Sequence, residues 1–298
     1  MLIIAVGRNV SSVTMAVSTE RGEYNANAEK RPQIAVYYYP WWNNPSNPHW
    51  TEGYLRELLQ PQPQQPLLGE YFSQDQGTVD QHLEWMTQYG ITQLIASWFG
   101  PNRFGDSVIQ NQVFGSGKWG NLIKVGILYE SRGRLERNAT DNGRIYFDNT
   151  VNNNEQQLLD DFTFLATNYF GRPNYLKVDG KPVVYIYLTR SFRGDFAGAI
   201  ARLRSHVSIN YGYSLYLVGD ELYWRTPDPA RIGLYDAITT YNMHGPGRYE
   251  GYPDSTGFLT DVEATYQQWR EIANSLGVAL IPNAMPAYND RGTRLVRD

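Results

Sequence analysis

The sequence of 298 residues contains no cysteine and only four histidines. Without cysteine the protein has no disulfide framework, no thiol nucleophile and no cysteine-ligated zinc. The histidines are scattered and form no His-x-His or His-Glu-x-x-His pair, so the sequence does not predict a histidine-rich metal centre. We therefore expect neither a metal nor another cofactor.

A large excess of one charge and long apolar runs are also absent. The 26 Lys and Arg residues stand against 30 Asp and Glu residues, which gives a net charge of -4, and no long basic run occurs. This balance argues against nucleic acid and anionic membrane surfaces as main partners. No segment approaches the ~20 apolar residues that a membrane-spanning helix needs. The sequence thus predicts neither nucleic-acid binding nor membrane insertion.

Residues 1–31 are predicted to be a flexible leader or linker. Residues 1–6 are apolar, but Arg8 follows too soon for a secretory signal, which needs a basic start and a longer apolar run. An extracytoplasmic location, secreted or periplasmic, is favoured if a signal has been lost upstream.

Aromatic residues, by contrast, are abundant. They make up 14% of the sequence, with 23 Tyr and 8 Trp. Rings that carry a polar tip suit sugar binding, because the C–H faces of a pyranose stack on the ring while its hydroxyls hydrogen-bond nearby. The same residues also fill ordinary cores, and the hydrophobic fraction of 42% is sufficient for a full one.

Short apolar segments with the pattern of buried strands recur along the chain. There are seven of them, at 34–39, 91–98, 123–129, 183–188, 215–218, 237–241 and 279–283. Segments with apolar residues at helical spacing alternate with them. This order predicts an α/β fold of the (β/α)8 TIM-type barrel class, as a single domain over residues 32–298. Because such a barrel needs eight strands, we expect the eighth β/α unit to be missing at the C-terminus rather than overlooked.

The active site of such a barrel lies where its strands end. Cleavage of a glycosidic bond needs one carboxylic acid that protonates the leaving oxygen, and a second group that supplies or generates the nucleophile. The catalytic candidates at the strand ends are Glu130, Asp220 and Glu221. The candidates for substrate binding there are Tyr39, Trp41, Trp42, His49, Trp50, Trp98, Asp106, Arg132, Tyr187, Tyr241, Asn242 and His244.

Structural roles compete with these functional ones. Glu130 directly follows a strongly apolar strand, and its alternative role is a salt bridge to Arg132 or Arg134. The alternative for Asp220 and Glu221 is a helix cap or a surface charge. The tryptophans are the better candidates for a sugar platform, although each could instead pack between loops.

An ordered set of motifs over about residues 33–294 resembles glycoside hydrolase family 99 and its looser bacterial relatives. The motifs are Tyr38-Tyr39-Pro40-Trp41-Trp42 with His49-Trp50, Asp80-Gln81-His82, Ser97-Trp98-Phe99-Gly100, Tyr129-Glu130-Ser131-Arg132 and Pro286-Ala287-Tyr288-Asn289-Asp290. The resemblance implies a (β/α)8 barrel of endo-acting α-mannosidases and α-mannanases. It also implies retention of anomeric configuration through attack by the substrate's own 2-hydroxyl, with a Glu-Pro-Tyr-Glu run supplying the base and the acid.

The chain departs from that family at one of these two carboxylates. The matching run reads Ile127-Leu128-Tyr129-Glu130, so Glu130 matches the acid/base while an isoleucine stands at the position of the other glutamate. The resemblance further implies an eighth strand with an Asn-Glu-Trp segment, which this sequence lacks.

Two functions are compatible with these features. The first is a glycoside hydrolase that acts on α-mannose-containing or related glycans, with Glu130 as general acid/base. The second is a non-catalytic glycan-binding barrel, or a truncated and inactive fragment of such an enzyme. In either case we expect a monomer whose partner is an oligosaccharide or polysaccharide.

Overall fold

The computed structural model describes residues 3–6, 33–43, 66–117, 119, 122–148, 150, 152–244 and 255–285, and for 3–6 and Ser255 it describes the backbone alone. Seven strands run parallel in one curled sheet. They are β2 Gln33–Tyr38, β3 Gln93–Trp98, β4 Lys124–Tyr129, β7 Lys181–Ile186, β9 Tyr216–Asp220, β10 Ala237–Thr239 and β11 Ala279–Leu280. Their order across the sheet is β11-β10-β9-β7-β4-β3-β2. Each of the seven predicted strand segments overlaps one of these strands, which confirms the predicted fold class.

The remaining strands are short. Strand β1 (Ile3–Val6), within the predicted leader, lies antiparallel to β2 and to β12 (Asn283–Ala284). The strand β6 (Lys177–Val178) forms a hairpin with β7, and positive φ angles at Asp179 and Gly180 make its two-residue turn. Strands β5 (Ile145–Phe147) and β8 (Phe192–Gly194) pair in a separate small sheet. Among the described residues no eighth parallel strand is present, so the sheet is a partial (β/α)8 barrel.

Helices connect the strands and cover the outside of the sheet. They are α1 Gln76–Gln88, α2 Phe104–Val108, α3 Ser131–Arg134, α4 Asn154–Asn168, α5 Phe196–Tyr211, α6 Pro229–Ile232 and α7 Ser255–Ser275. A π-helical turn at Ile109–Val113 extends α2, and a 3-10 turn at Thr189–Ser191 precedes β8. None of the helices in the described ranges combines the length and hydropathy that a membrane span requires.

Alternate residues of the strands serve two different cores. Residues such as Tyr37, Ile95, Leu128, Tyr185 and Val218 point into the barrel and form what we name the interior cluster. The residues between them pack against the helices in the outer cluster, which includes Val36, Leu94, Ile127, Val184 and Leu217. This alternation follows from the two-residue period of a strand. The same alternation decides which side chain at the end of each strand faces the barrel interior.

Candidate active site

Glu130 lies at the carboxyl end of β4 and shares the inward direction of Leu128. Its side chain is 7% exposed, and its Oε1 accepts a hydrogen bond of 2.6 Å from the hydroxyl of Ser97 on β3. Arg134 instead pairs with Asp161 at 2.6 Å, and within the described structure Glu130 forms no ion pair with Arg134 or Arg132. The alternative role of Glu130 as a salt-bridge partner is therefore wrong.

This environment makes the carboxyl group of Glu130 a weaker acid than that of an ordinary glutamate. Burial raises the pKa of Glu130 to about 7, because the ionised form loses hydration. The hydrogen bond from Ser97 lowers the pKa, and the negative charge of Asp220 raises it further. A carboxylic acid with a pKa near neutrality holds its proton for part of the time at physiological pH, as a general acid must.

Three tyrosines that we predicted as substrate-binding gather around the same end of the barrel. The hydroxyls of Tyr39 and Tyr241 are 2.5 Å apart, and the rings of Tyr187 and Tyr241 meet edge to face at 5.0 Å. Burial raises the pKa of Tyr39 and of Tyr187, and the charge of Glu130 contributes to both increases. Trp41 stacks on Tyr39 with ring centroids 4.7 Å apart. The structure thus brings Tyr39, Trp41, Tyr187 and Tyr241 together beside Glu130.

Asp220 ends β9 and also points inward, but its oxygens are engaged. They accept hydrogen bonds from Arg190 at 2.5 Å, from the backbone N–H of Leu188 at 2.9 Å and from that of Tyr241 at 3.0 Å. Leu188 has a left-handed backbone with φ of 52°, which this bond stabilises. Burial raises the pKa of Asp220, while Arg190 and the two N–H groups lower it. Asp220 therefore holds two neighbouring loops in place and acts on Glu130 through its charge.

Glu221, the other carboxylate of that pair, is completely buried. It accepts hydrogen bonds of 3.0 and 2.8 Å from the guanidinium of Arg231 and a further one from Arg225. A carboxylate enclosed by two arginines neutralises their charge inside the protein, as buried ion pairs require. The structure therefore offers Glu221 a structural role as the partner of two arginines, and its assignment as a catalytic group stays a prediction.

Trp98 and Asp106 are also explained by the structure without a ligand. Trp98 points outward into the outer cluster, is 0% exposed, and donates from Nε1 to Asp106 Oδ1 at 2.7 Å. Asp106 accepts further hydrogen bonds from the Tyr169 hydroxyl, from the Asn102 N–H at 3.0 Å and from Gln110 at 3.0 Å. Both residues stabilise the packing of α2 on the barrel, and their contact with a substrate stays a prediction.

The other predicted binding residues occupy the rim loops. Trp42 is half-buried against Tyr71 at 6.2 Å. His244 packs on Phe258 at 4.8 Å, and burial lowers the pKa of its imidazole. Asn242 is half-buried after β10, and its carbonyl accepts a hydrogen bond of 3.0 Å from the Thr240 hydroxyl. The predictions for His49 and Trp50 fall outside the described residues.

An open cavity of about 450 Å³ lies next to Glu130. Ser97, the hydrogen-bond partner of Glu130, forms part of its wall, and most of the remaining lining is aromatic or small. The lining residues are Pro40, Trp41, Asn43, Ser97, Phe99, Arg103, Phe104, Gly105 and Gly133. We name it the aromatic cavity.

Some of these residues were not predicted from the sequence. Ser97 could have been found, because it is a small polar residue with the inward direction of Ile95 at the end of β3. Phe99, Arg103 and Phe104 follow that strand in a loop and short helix, where no periodic pattern indicates direction.

Ile127 does not occupy a position from which a second carboxylate could reach this site. It lies two residues before the end of β4, is 0% exposed, and packs in the outer cluster against the helices. The side chain at this position points away from the side of the sheet on which Glu130 lies.

The parallel strands and the helices that follow them define a partial (β/α)8 barrel with a buried carboxyl group at its strand ends. The chain is similar to two solved structures of the GH99 endo-alpha-mannosidase from Bacteroides thetaiotaomicron. In complex with Bis-Tris propane, that enzyme aligns with a TM-score of 0.58 and 17% identity over 88% of this chain and 72% of that chain. The other structure of that enzyme aligns with a TM-score of 0.59 and 16% identity over 88% of this chain and 74% of that chain.

A further solved structure, described as a glycoside hydrolase-like protein, aligns with a TM-score of 0.58 and 20% identity over 78% of this chain and 69% of that chain. No protein-family model matches the sequence, and no curated protein matches it. At this identity the likeness shows the fold. It confirms, at that level, the resemblance to family 99 that the sequence motifs indicated.

Proposed function

We propose that the protein is a glycoside hydrolase that cleaves α-mannose-containing or related glycans, with Glu130 as general acid/base. The observation that carries the proposal is the state of this one side chain. Glu130 is buried at the carboxyl end of the sheet, bonded to Ser97 alone among side chains of the described structure, and its pKa is about 7. Carboxylates with a purely structural role in this barrel are instead enclosed by donors, as Glu221 is.

The chemistry follows from the proton on Glu130. The protonated carboxyl donates to the glycosidic oxygen as the bond to the anomeric carbon breaks, and the resulting carboxylate accepts a proton from the incoming water. Trp41 and Phe99, with rings 5.8 Å apart, offer flat apolar surfaces for sugar rings in the aromatic cavity. The charge of Asp220 favours the protonated form of Glu130 before the reaction.

The experiment measures release of oligosaccharides from a panel of α-mannans and manno-oligosaccharides by the wild type and by Glu130→Gln. The amide has nearly the shape of the acid but cannot release a proton at neutral pH. We expect products from the wild type and a loss of at least about a hundredfold in the variant, the scale of general acid catalysis. Equal release by both proteins would remove Glu130 from the mechanism.

A non-catalytic glycan-binding barrel is the second candidate, and one observation favours it. Ile127 is buried in the outer cluster and Glu221 is enclosed by arginines, so two of the positions considered for a second catalytic group do not provide one. Equal binding of manno-oligosaccharides by the wild type and Glu130→Gln, with no turnover by either folded protein, would support this function.

A further inference from the structure

A second cavity, of about 580 Å³, lies beside the aromatic cavity. Gly133 contributes to the walls of both, so the two cavities are neighbours. The charged residues in the second wall are Arg132, Glu136 and Arg137. We name it the basic cavity, because its two guanidinium groups outnumber its one carboxylate.

Arg132 is the unusual member of this wall. It is half-buried, and its Nε is shielded from solvent without a hydrogen-bond partner. Within the described part of the chain its guanidinium also forms no ion pair, whereas the nearby Arg134 pairs with Asp161 and Arg144 pairs with Asp141. A donor removed from water and left without an acceptor is unfavourable, and more so when it is charged.

The backbone beside Arg132 leaves room for this guanidinium. A Cβ atom at Gly143 would lie 2.5 Å from Arg132 Nη2, so glycine is the residue that permits the close approach. The φ of Gly143 is 68°, a conformation that also favours glycine. The guanidinium is therefore held at the cavity wall by the shape of its surroundings and not by a carboxylate.

A planar guanidinium binds an oxyanion through two parallel N–H donors. We propose that the basic cavity binds the acidic group, a carboxylate or a sulfate ester, of a charged sugar unit in the glycan, through Arg132 with support from Arg137. The wall shared at Gly133 places this unit next to the sugar that occupies the aromatic cavity. The inference rests on the proposed function, and it names an acidic glycan as the substrate class.

The test compares binding of matched probes to the folded Glu130→Gln protein, which prevents turnover. The probes are neutral α-mannotriose, trisaccharides of the same linkage that carry one glucuronate or one sulfate ester, and inorganic sulfate. We expect at least about tenfold tighter binding of one acidic trisaccharide than of the neutral one, which corresponds to a hydrogen bond to a charged group. The preferred probe distinguishes a carboxylate from a sulfate ligand.

Substitutions assign this preference to the cavity. Arg132→Gln should bring the affinity for the acidic trisaccharide close to that for the neutral one. Glu136→Gln should increase affinity for the acidic probe, because it removes the like charge from the wall. Arg270→Gln is the control, since Arg270 lies on α7 and donates to Gln267 of the same helix; it should change neither affinity. Raising the salt concentration should weaken binding of the acidic probe more than that of the neutral one.

The outcomes separate this inference from the proposed function. Equal affinity for neutral and acidic trisaccharides would overturn the acidic subsite while leaving glycan binding intact. Binding of inorganic sulfate that depends on Arg132, without binding of any trisaccharide, would support an oxyanion site and contradict the proposed function. Failure of every probe to bind the folded protein would contradict both.

Discussion

Glu130 differs from its neighbouring carboxylates in the number of groups that bind it. Asp106 accepts four hydrogen bonds and Asp161 pairs with Arg134 and with the hydroxyl of Tyr129, whereas Glu130 has Ser97. Donors stabilise the ionised form of a carboxylate, and burial without them stabilises the protonated form. We expect a catalytic role for a buried carboxyl group that lies at a strand end and has few hydrogen-bond donors around it.

The raised pKa of Glu130 predicts a stability that depends on pH. Because the pKa is about 7 in the folded protein against 4.5 ordinarily, the folded state holds a proton that the unfolded state has released between these values. Stability must therefore fall as the pH rises through this window and level off above it. Glu130→Gln removes this loss, so at pH 8 the variant should be more stable than the wild type by up to about 3 kcal/mol, at ~1.4 kcal/mol per pKa unit.

Urea unfolding of both proteins at pH 5 and pH 8 checks this prediction. Glu136→Gln is the matched control, since Glu136 is an exposed glutamate six residues after Glu130. A difference between wild type and Glu130→Gln that is the same at both pH values would show that the pKa of Glu130 is not raised.

Burial raises the pKa of Glu130, and the hydrogen bond from Ser97 reduces that increase. The Ser97 hydroxyl donates to the carboxylate and lowers the pKa, so Ser97→Ala should raise it. We expect the titration of the Glu130 carboxyl carbon, followed by NMR, to move to higher pH. Under the proposed function, the decline of activity at alkaline pH should move in the same direction. Ser107→Ala, at an exposed hydroxyl that contacts Asn111, is the control and should leave the titration in place.

At the scale of single elements, the direction of each strand residue decides its role. Val125, Ile127 and Tyr129 of β4 pack against the helices, while Leu128 and Glu130 face the barrel interior. Replacing Ile127 with glutamate would therefore not supply a second catalytic carboxylate in this strand, although the sequence comparison with family 99 suggests that position.

Ile127→Glu should instead destabilise the protein. The new carboxylate would be buried among apolar side chains, and we expect a loss of at least about 3 kcal/mol in the free energy of unfolding. Ile127→Val, which keeps the apolar character, should lose only ~0.5–1.5 kcal/mol. Chemical denaturation of both variants measures the difference. A stable Ile127→Glu protein with new glycosidase activity would show that this side chain reaches the site.

The loop after β9 depends on the buried ion pair of Glu221. Glu221→Gln leaves Arg225 and Arg231 without their negative partner, and we expect a loss of about 3–5 kcal/mol in the free energy of unfolding. Asp195→Asn is the control, because Asp195 pairs with Arg202 at an exposed site where an ion pair contributes about 0–1 kcal/mol. Equal effects of the two substitutions in a denaturation experiment would contradict the structural role of Glu221.

At the scale of the whole molecule, buried tyrosines lie in both cores. Tyr37 lies in the interior cluster and Tyr129 and Tyr175 lie in the outer one, all three nearly inaccessible to solvent. Burial raises the pKa of each well above its ordinary value near 10. Since the folded protein keeps these protons while the unfolded chain releases them, stability must fall as the pH rises above about 10.

Alkaline titration of the intact protein should therefore occur in two phases. The buried Tyr37, Tyr129 and Tyr175 ionise only when the protein unfolds, after the tyrosines that water already reaches in the folded protein. Absorbance at the wavelength of tyrosinate, followed together with circular dichroism, should show the second phase coinciding with loss of structure. A single phase, completed while the fold persists, would contradict the burial of these tyrosines.

Much of this architecture could be predicted from the sequence, because its signals are local. Each of the seven apolar segments overlaps a parallel strand, and Asp179-Gly180 forms the predicted hairpin turn. Glu130 could be singled out since it directly follows an apolar strand. The roles of Glu221 and Trp98 could not, because neighbouring residues at a strand end point to opposite sides, and the sequence alone did not tell which side carries the site.

The sequence by itself determined the order of strands and helices, the barrel class and the strand ends where chemistry is expected, since these depend on periodicity over a few residues. Only the tertiary structure decided which carboxylates are enclosed by donors, and that burial raises the pKa of Glu130 to about 7. Arg134 reaches Asp161, and Arg231 reaches Glu221, across distances along the chain that no local pattern encodes. Burial and partnership are properties of the folded chain, and they distinguish Glu130 from the other carboxylates.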